Sequence, residues 1–366
     1  MPLDRSGLLR SAIRDSHAAI TGCGMIERMP NWLICIPRAV QWAWLSLRYR
    51  SFTLPSAANP SIPSGGLVGE GKMDYFKGMG PLARQFTARS WAISTACAPT
   101  GESLALQMRA AGLGFPVIAK PDLGLCGFGV QRVDDLHHLL AYALAFPRDE
   151  VIVLQEYLYD EGEAGIFYAR DPRTDRAELI GMALRYYPRV TGDGRRSLDA
   201  LIKADARTRR SQGGRHVGNF DGALIPPAGH VVRLATIGST RVGGLYRDGA
   251  SWISPALCAT IDAIARDMPD FYCGRFDVRF SDINALQAGD GFKIIEINGA
   301  GSEAIQAWDP DVPLWKAFQI IFAKQRRLFA IGAAMRERGV RPIGLRELAR
   351  LYRRQLRLID LYPPSN

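Results

Sequence analysis

Two neighbouring stretches decide the fold of this chain: YCGRFDVRF at 272–280 and GFKIIEINGAGSEA at 291–304. In both, polar and apolar residues alternate, which predicts β-strands with one face in a core. The alternation in the first stretch puts a carboxylate between two basic side chains on one face: Arg275, Asp277 and Arg279. The apolar residues between them point to the core, so the polar face is available to form a site.

The second stretch adds oxygen atoms to this face. Glu296 and Asn298 are two positions apart, so their side chains point the same way. With Asp277 they give three oxygen donors on neighbouring strands, which suits Mg²⁺ because this ion binds oxygen ligands and shares its shell with substrate phosphates. The alternative is a surface salt bridge between Asp277 and its arginines, which leaves Glu296 and Asn298 unexplained within an apolar strand.

A lysine followed by a glycine-rich loop lies upstream, in FPVIAKPDLGLCGFGVQRV at 115–133. Lys120 stands at the end of a predicted strand, and Gly124, Gly127 and Gly129 follow it. A lysine in this position reaches a phosphate, while glycines allow backbone N–H groups to approach closely. The spacing fits neither a Walker A loop nor the Rossmann fingerprint. A glycine turn beside a solvated lysine is the alternative interpretation.

A third stretch, VIVLQEYLYDEGEAGIFYAR at 151–170, is an apolar strand that runs into acidic residues. The end of such a strand suits a nucleotide, because backbone groups pair with the adenine edge and a carboxylate accepts hydrogen bonds from the ribose. The candidate carboxylates are Glu156 and Glu163, with the backbone near Leu158 between them. A solvated acidic turn is the alternative.

The composition limits the class of protein. The chain has 366 residues, of which 47% are hydrophobic, enough for a large globular core. Its net charge of +10 predicts an anionic partner. Because the sequence contains no zinc-finger spacing, arginine-rich tract or aromatic RNA-binding motif, we expect a phosphorylated or carboxylate ligand and no nucleic acid. Six scattered cysteines indicate free thiols in the cytoplasm, and neither a signal peptide nor a membrane-spanning run is expected.

Helical and strand patterns alternate from Lys72 onward, which predicts a mixed α/β (α+β) fold. The expected strands are 116–121, 151–157, 164–169, 178–187, 273–280 and 292–298. The expected helices are 102–112, 134–145, 255–267, 313–338 and 345–359. Residues 195–250 are rich in Arg and Gly and predict a long, partly irregular region, and the proline- and glycine-rich residues before Lys72 predict a connector.

These motifs, in this order and spacing, resemble the ATP-grasp superfamily over residues 72–330. The resemblance implies an ATP-grasp fold, in which two α/β subdomains clasp ATP. It implies that Lys120 contacts the α- and β-phosphates and that the glycine loop folds over the triphosphate. A second lysine is expected before the small subdomain, for which Lys72 is the first candidate and Lys77 the second.

The same resemblance implies a metal site and a phosphoryl contact. The expected ion is Mg²⁺, with Mn²⁺ as the alternative, and its expected ligands are Asp277, Glu296 and Asn298. Arg275 stands two residues before the metal aspartate and is expected to steady the transferred phosphoryl group.

A finer resemblance lies in GMALRYYPRVTGDGRRSLDALI at 181–202, which is similar to a stretch of cyanophycin synthetases and bifunctional glutathione synthetases. Arg185 stands at the matching arginine and is expected near an acyl phosphate. The resemblance implies an ADP-forming ligase that joins a small-molecule carboxylate to an amine. The rivals are a nucleotide-binding scaffold without turnover and a phosphotransferase on the same fold. His216 and Asn219 are candidates for an acceptor site, or ordinary residues.

We therefore predict four regions. Residues 1–70 are a non-Rossmann N-terminal extension with a linker, and 71–157 are the small, lid-bearing subdomain. Residues 158–335 are the large subdomain with the metal site, and 336–366 are a basic amphipathic tail.

The two ends of the chain lie outside the resemblance. In the tail, apolar residues recur at helical spacing beside eight arginines. Such a helix suits an anionic membrane surface, and the aromatic segment WLICIPRAVQWAWLSLRYR at 32–50 also favours that interface. We hypothesise a weak peripheral contact at the inner membrane surface. We favour the alternative, in which both ends pack on the catalytic body or form a homodimer contact, because amphipathic helices are usually core elements.

Overall fold

The computed structural model of the chain describes residues 23–209 and 221–365. Within these residues the strands form one five-stranded, one four-stranded and one two-stranded sheet, and all paired strands are antiparallel. Helices pack against both larger sheets. The predicted α/β class is therefore confirmed. His216 and Asn219 lie outside the described residues.

The five-stranded sheet carries the motif strands at one edge. In spatial order it contains β11 (Phe292–Asn298), β10 (Cys273–Phe280), β5 (Gly162–Arg170), β6 (Ala177–Tyr186) and β9 (Leu245–Asp248). The four-stranded sheet contains β1 (Ser90–Ser94), β4 (Val151–Glu156), β2 (Val117–Pro121) and β3 (Gln131–Val133). The short ribbon pairs β7 (Arg189–Thr191) with β8 (Val231–Arg233).

The helices are distributed along the whole described chain. They are α1 (Met25–Arg28), α2 (Asn31–Tyr49), α3 (Lys72–Phe76), α4 (Pro81–Phe86), α5 (Gly101–Ala110), α6 (Leu136–Ala145), α7 (Leu198–Ala204), α8 (Pro255–Arg266), α9 (Ile283–Gln287), α10 (Leu314–Glu337) and α11 (Leu345–Leu361). The predicted strands and helices all form, with ends that differ by at most three residues. Where the structure describes the region predicted to be irregular, it contains α7, β8, β9 and short 3₁₀ turns.

The alternation read from β10 decides which of its faces is buried. Phe276, Val278 and Phe280 are at most 4% exposed and belong to the core between the five-stranded sheet and α8. The two faces of the strand are therefore divided as the sequence predicts. Helices α3 and α4 contribute to this same core through Tyr75 and Ala83.

The N-terminal extension packs on the long helix α10. Trp42 of α2 lies edge-on to Phe329 with ring centroids 5.0 Å apart, and Gln41 Nε2 donates to the carbonyl oxygen of Phe322 at 3.1 Å. After α2 the chain forms two 3₁₀ turns, Leu54–Ala57 and Pro63–Gly66. The predicted connector therefore contains regular turns and is more than a loop.

The C-terminal helix packs on the smaller sheet. Leu358 and Tyr362 are buried in the core that α5, α6 and the four-stranded sheet form, and Arg354 pairs with Glu150 at 2.9 Å. The C-terminal helix thus packs on the body of the protein, which is the alternative that we favour for the tail. Other apolar residues of α11, including Tyr352 and Leu356, are exposed. Among the described residues, no helix is both long enough and apolar enough to cross a bilayer.

One buried side chain joins the connector to the motif strand. Asn59 is fully buried, and its amide nitrogen donates to the carbonyl oxygens of Gly65 and Cys273. Its amide oxygen accepts from the backbone N–H groups of Tyr272 and Cys273. All four hydrogen-bonding positions of the amide are therefore used, and the start of β10 is anchored from outside the sheet.

We predict that Asn59→Ala lowers the free energy of unfolding by at least about 2 kcal/mol, because it leaves several buried backbone groups without partners. Urea denaturation followed by circular dichroism measures this change. Asn284→Ala is the matched control, since Asn284 is exposed and its side-chain amide donates to Asp282. Equal stability of the two variants would contradict the anchoring role.

Candidate active site

The two larger sheets meet at Lys120. Its ammonium group donates to the side-chain oxygen of Gln155 at 2.9 Å and to the carbonyl oxygen of Ile295 at 2.8 Å. Ile295 has no partner residue in β10, because Asp277 pairs with Glu296 and Val278 with Ile294. This β-bulge releases the Ile295 carbonyl from the ladder and makes it available to the other sheet. Burial lowers the pKa of Lys120 to about 8.

Asp277 lies at the centre of a buried set of ion pairs. Arg275 binds both of its oxygens, with Nε 2.6 Å from Oδ1 and Nη2 2.9 Å from Oδ2. Arg185 Nη1 lies 3.2 Å from Oδ2, and the amide nitrogen of Asn298 donates to the same oxygen at 3.2 Å. Because Asp277 is 0% exposed, these pairs do not form the surface salt bridge of the alternative interpretation.

Glu296 connects the metal strand to the second lysine. It stands opposite Asp277 in the ladder, and its Oε1 lies 3.4 Å from Lys72 Nζ. Burial opposes the charge of Glu296, but Lys72, Lys120 and the nearby arginines outweigh that effect and lower the pKa of its carboxyl. Glu70 lies close to Lys72 and Glu296, and burial raises the pKa of Glu70 to about 7.

Glu163 is surrounded by cations. Arg185 Nη1 lies 3.0 Å from Oε1, Arg279 Nε lies 3.3 Å from Oε2, and the Tyr187 hydroxyl donates to Oε2. Burial alone raises the pKa of this carboxyl, but the two arginines and the tyrosine outweigh it, so the pKa lies below its usual value. The structure thus uses Glu163 to position two arginines at the same face as Asp277.

The predicted metal set fits a magnesium ion by its donor types. Asp277 and Glu296 are carboxylates directly opposite each other, and Asn298 uses its nitrogen toward Asp277, which leaves its amide oxygen as a donor for a cation. Among the described residues, no group of three or more His, Cys, Asp or Glu can hold a metal. The set therefore depends on the Asn298 amide and on oxygens from a ligand. An ion would compete with Arg275 for the oxygens of Asp277.

The cluster as a whole carries more positive than negative charge. Its cations are Lys72, Lys120, Arg185, Arg275 and Arg279. Its fully engaged carboxylates are Glu163, Asp277 and Glu296. An excess of cations where the two sheets meet, a place that we call the cleft, favours a polyanion, and a triphosphate with its metal has the matching chemistry.

The glycine loop lies against Lys72. A Cβ atom at Gly124 would lie 2.7 Å from Lys72 Nζ, so a larger residue there would have to displace the lysine ammonium group. Gly127 and Gly129 have φ values of +75° and +72°, in the left-handed region that favours glycine. The structure therefore brings Lys72 and the glycine loop together, and their contacts with a nucleotide stay predictions.

Side-chain donors hold the carbonyl oxygens of the glycine loop, and most of them come from the C-terminal segment. The contacts are Tyr362 Oη to Leu123 O at 2.6 Å, Gln355 Nε2 to Gly124 O at 3.1 Å, Ser365 Oγ to Gly127 O at 2.8 Å, Arg241 Nε to Cys126 O at 3.1 Å and Tyr142 Oη to Gly129 O at 2.7 Å. The carbonyl and the N–H of one peptide group point in opposite directions. These contacts therefore turn the loop N–H groups away from the side chains that hold the carbonyl oxygens.

The structure does not bring every predicted residue into the cluster. Side chains alternate along β4, so Gln155 faces Lys120 and Glu156 takes the opposite face. There Glu156 pairs with Arg89 at 3.0 Å. Leu158 is half-buried in the connection between β4 and β5. The nucleotide contacts of Glu156 and Leu158 stay predictions.

Several residues of the site were missed by the motif analysis. Gln155 bridges Lys120 and the Ile295 carbonyl, and Arg241 and the C-terminal Tyr362 hold the glycine loop. Alternation along β4 puts Gln155 and Glu156 on opposite faces of that strand, so the sequence could have indicated Gln155 as the residue that faces Lys120. Arg241 and Tyr362 lie more than 110 residues from the loop, and no local pattern reports such a contact.

Three solved structures can be compared with this chain. A bifunctional glutathione synthetase from Pasteurella multocida shares 16% identity at a TM-score of 0.34, over 69% of this chain and 36% of that one. A D-cycloserine synthetase shares 12% identity at a TM-score of 0.37, over 73% of each chain. A D-alanine–D-alanine ligase from Bacillus anthracis shares 14% identity at a TM-score of 0.38, over 73% of this chain and 69% of that one.

This chain thus spans about a third of the length of the glutathione synthetase. A scan against protein-family models finds no match, and neither does a search of curated proteins.

We predict that Tyr362→Phe speeds hydrogen exchange of the amides at 123–129 roughly fivefold, because it removes one hydrogen bond worth about 1 kcal/mol and keeps the buried ring. Mass spectrometry of amide exchange measures this. Tyr352→Phe is the control, since Tyr352 is half-exposed on α11, the helix that ends just before Tyr362. Unchanged loop exchange in Tyr362→Phe would show that the C-terminal segment does not hold the loop.

Proposed function

We propose that this chain is an ATP-dependent, Mg²⁺-using ligase that activates a carboxylate as an acyl phosphate and joins it to an amine. One observation carries the proposal. Lys120, from the smaller sheet, reaches the bulge beside Glu296 in the larger sheet, where Asp277 and Glu296 stand opposite each other. Phosphate-binding cations and metal-binding oxygens therefore lie on the two sides of one cleft, as nucleotide activation requires.

The residues of the cleft act by positioning and by charge. Lys72 and Lys120 bind phosphate oxygens of ATP, and Arg185 and Arg275 stabilise the negative charge that shifts during phosphoryl transfer. When bound, Mg²⁺ supplies further charge neutralisation at the phosphate oxygens. Asp277, Glu296 and Asn298 hold that ion, and the glycine loop excludes water from the triphosphate.

The reaction needs no protein nucleophile. The substrate carboxylate attacks the γ-phosphorus, so that a new O–P bond forms as the bond to ADP breaks. The amine then attacks the carbonyl carbon of the acyl phosphate, inorganic phosphate leaves, and the amine loses a proton. The motif resemblance to carboxylate–amine ligases supports this order of reaction steps over transfer of a phosphoryl group to a hydroxyl group.

An ATP-dependent screen of carboxylate and amine pairs tests the function, with mass spectrometry to detect the amide. Added hydroxylamine separates the rivals, because it converts an acyl phosphate to a hydroxamate. A hydroxamate supports the ligase. Phosphate transfer without a hydroxamate indicates a phosphotransferase, and nucleotide binding without turnover indicates a scaffold. Either result would overturn the proposal.

We predict that Glu296→Gln lowers the rate in this assay roughly a hundredfold at saturating ATP, because it removes a charged metal ligand and keeps the side-chain volume. Glu102→Gln is the control, since Glu102 is exposed on α5 and lies outside the cleft. Wild-type rates for Glu296→Gln at limiting Mg²⁺ would argue against the metal role.

A specific surface supports a second role, a peripheral contact with an anionic membrane. Six large apolar side chains of α2 are between 38% and 79% exposed on one face: Trp32, Leu33, Ile36, Val40, Trp44 and Leu47. Exposed arginines flank this face at both ends, Arg28 before it and Arg48 and Arg50 after it. If a second copy of the chain packed on this face, its arginines would lie near these arginines and repel them. We therefore propose anionic lipid as the partner.

We predict that the protein co-sediments with phosphatidylserine-containing vesicles at low salt and is released at high salt. Replacing Trp32 and Val40 together by Ser should abolish sedimentation and leave ATP turnover unchanged, because both side chains lie away from the cleft. Binding that survives this change, or a concentration-dependent dimer without vesicle binding, would contradict the lipid contact.

A further inference from the structure

A cavity of about 90 Å³ lies beside the loop that follows the metal strand. Four parts of the chain form it: helix α2, the connector at Leu67, the segment after Asn298 and helix α10. The polar residues of its wall are Arg38, Ser302, Glu303, Lys324 and Gln325. The motifs assign no role to this cavity, and the N-terminal extension closes one of its sides.

Lys324 is a half-buried cation without a carboxylate partner. Its ammonium group lies 3.3 Å from the carbonyl oxygen of Ala300 and 3.5 Å from the hydroxyl oxygen of Ser302, which are neutral groups. Within 23–209 and 221–365, no Asp or Glu forms an ion pair with it. Burial lowers the pKa of Lys324 to about 8. A cation in this setting gains stability from an anion that enters beside it.

The other charges near Lys324 are already paired. Glu303 lies near it, but Glu303 pairs with Arg38 at 3.3 Å. Arg275 is bound to Asp277. With Glu303 balanced by Arg38, Lys324 gives the cavity an excess of one positive charge, which matches a ligand with a single negative charge.

Gln325 adds a second unmet group. It is 9% exposed, and its amide nitrogen donates to the carbonyl oxygen of Arg38 at 3.3 Å. Its amide oxygen is buried and has no hydrogen-bond partner among the described residues. A buried acceptor of this kind is costly unless a water donates to it, and the same water could donate its other hydrogen to a carboxylate held at Lys324.

The rest of the wall is apolar, and the cavity adjoins the cleft. Trp42, Leu67, Ile321 and Leu328 are among the residues that line it. Arg275 connects the cavity to the metal cluster, because Nη1 donates to the carbonyl oxygen of Glu303 at 3.2 Å while Nε binds Asp277.

We propose that this cavity binds a substrate that carries one carboxylate on a small apolar body, with the carboxylate at Lys324. That the bound carboxylate is a substrate rests on the proposed function, which this inference deepens by naming a substrate class. The binding itself needs neither ATP nor a metal, so it is measured separately from turnover. The N-terminal extension then completes a substrate pocket through Trp42 and Arg38.

Calorimetry with 4-methylpentanoate, and with its neutral amide as the matched probe, tests the proposal with and without a non-hydrolysable ATP analogue. We expect the carboxylate to bind and the amide to bind at least roughly tenfold more weakly, a difference of about 1.4 kcal/mol. Equal binding of the two compounds, or no binding of the carboxylate at millimolar concentration under both conditions, would overturn the proposal.

Variants identify the residue. Lys324→Met should weaken carboxylate binding at least tenfold, while Lys324→Arg should largely retain it. Lys316→Met, at an exposed position of the same helix, should bind as the wild type does. Removing an uncompensated cation should also raise the melting temperature of the ligand-free Lys324→Met protein, whereas loss of a merely structural lysine would lower it. Unchanged affinity in Lys324→Met would overturn the proposal.

The proposed function and this inference fail separately. Glu296→Gln should lose turnover and keep carboxylate binding. If no amide product is ever found but Lys324-dependent binding is, the cavity stands and the ligase does not. If turnover is found with substrates that do not need Lys324, the ligase stands and the cavity does not.

Discussion

The contact between Lys120 and the carbonyl oxygen of Ile295 is the constraint on which the site depends. A buried ammonium group must be hydrogen-bonded, and a carbonyl within a regular ladder is already used. The bulge in β11 resolves this conflict because it turns one carbonyl out of the larger sheet toward the smaller one. The two sheets are thereby joined at the position where a phosphate chain needs a cation.

Buried charge then organises the rest of the cleft. Glu163, Asp277 and Glu296 each have at least one cationic partner, and Arg185 contacts both Glu163 and Asp277. This sharing fixes the arginines without ligand, so that little rearrangement is needed when a polyanion enters. The cost of burying so many charges must be met by packing elsewhere, which the two aromatic and aliphatic cores beneath the sheets provide.

The sequence allowed the strands of the site to be predicted because alternation is a local property. The faces of β10 and β11 follow from residue spacing alone, whereas the register that sets Asp277 opposite Glu296 depends on how the two strands pair. Glu156 shows the limit of this reasoning, because its strand was predicted correctly while its side chain takes the face away from Lys120. The contact of Tyr362 with the glycine loop and the contact of Gln325 with Arg38 of α2 at the cavity join residues more than 230 positions apart. Such contacts depend on tertiary packing, which no window of sequence contains.

The central claim is that the cleft between the two sheets binds the phosphates of ATP through Lys120. Calorimetric titration of Mg²⁺–ATP into the wild type and into Lys120→Met tests it most directly, with Lys203→Met, at an exposed position of α7, as the control. Loss of one phosphate-binding cation should weaken ATP binding roughly tenfold or more in Lys120→Met only. Equal affinity of Lys120→Met and the wild type, in a protein that remains folded, would contradict the account.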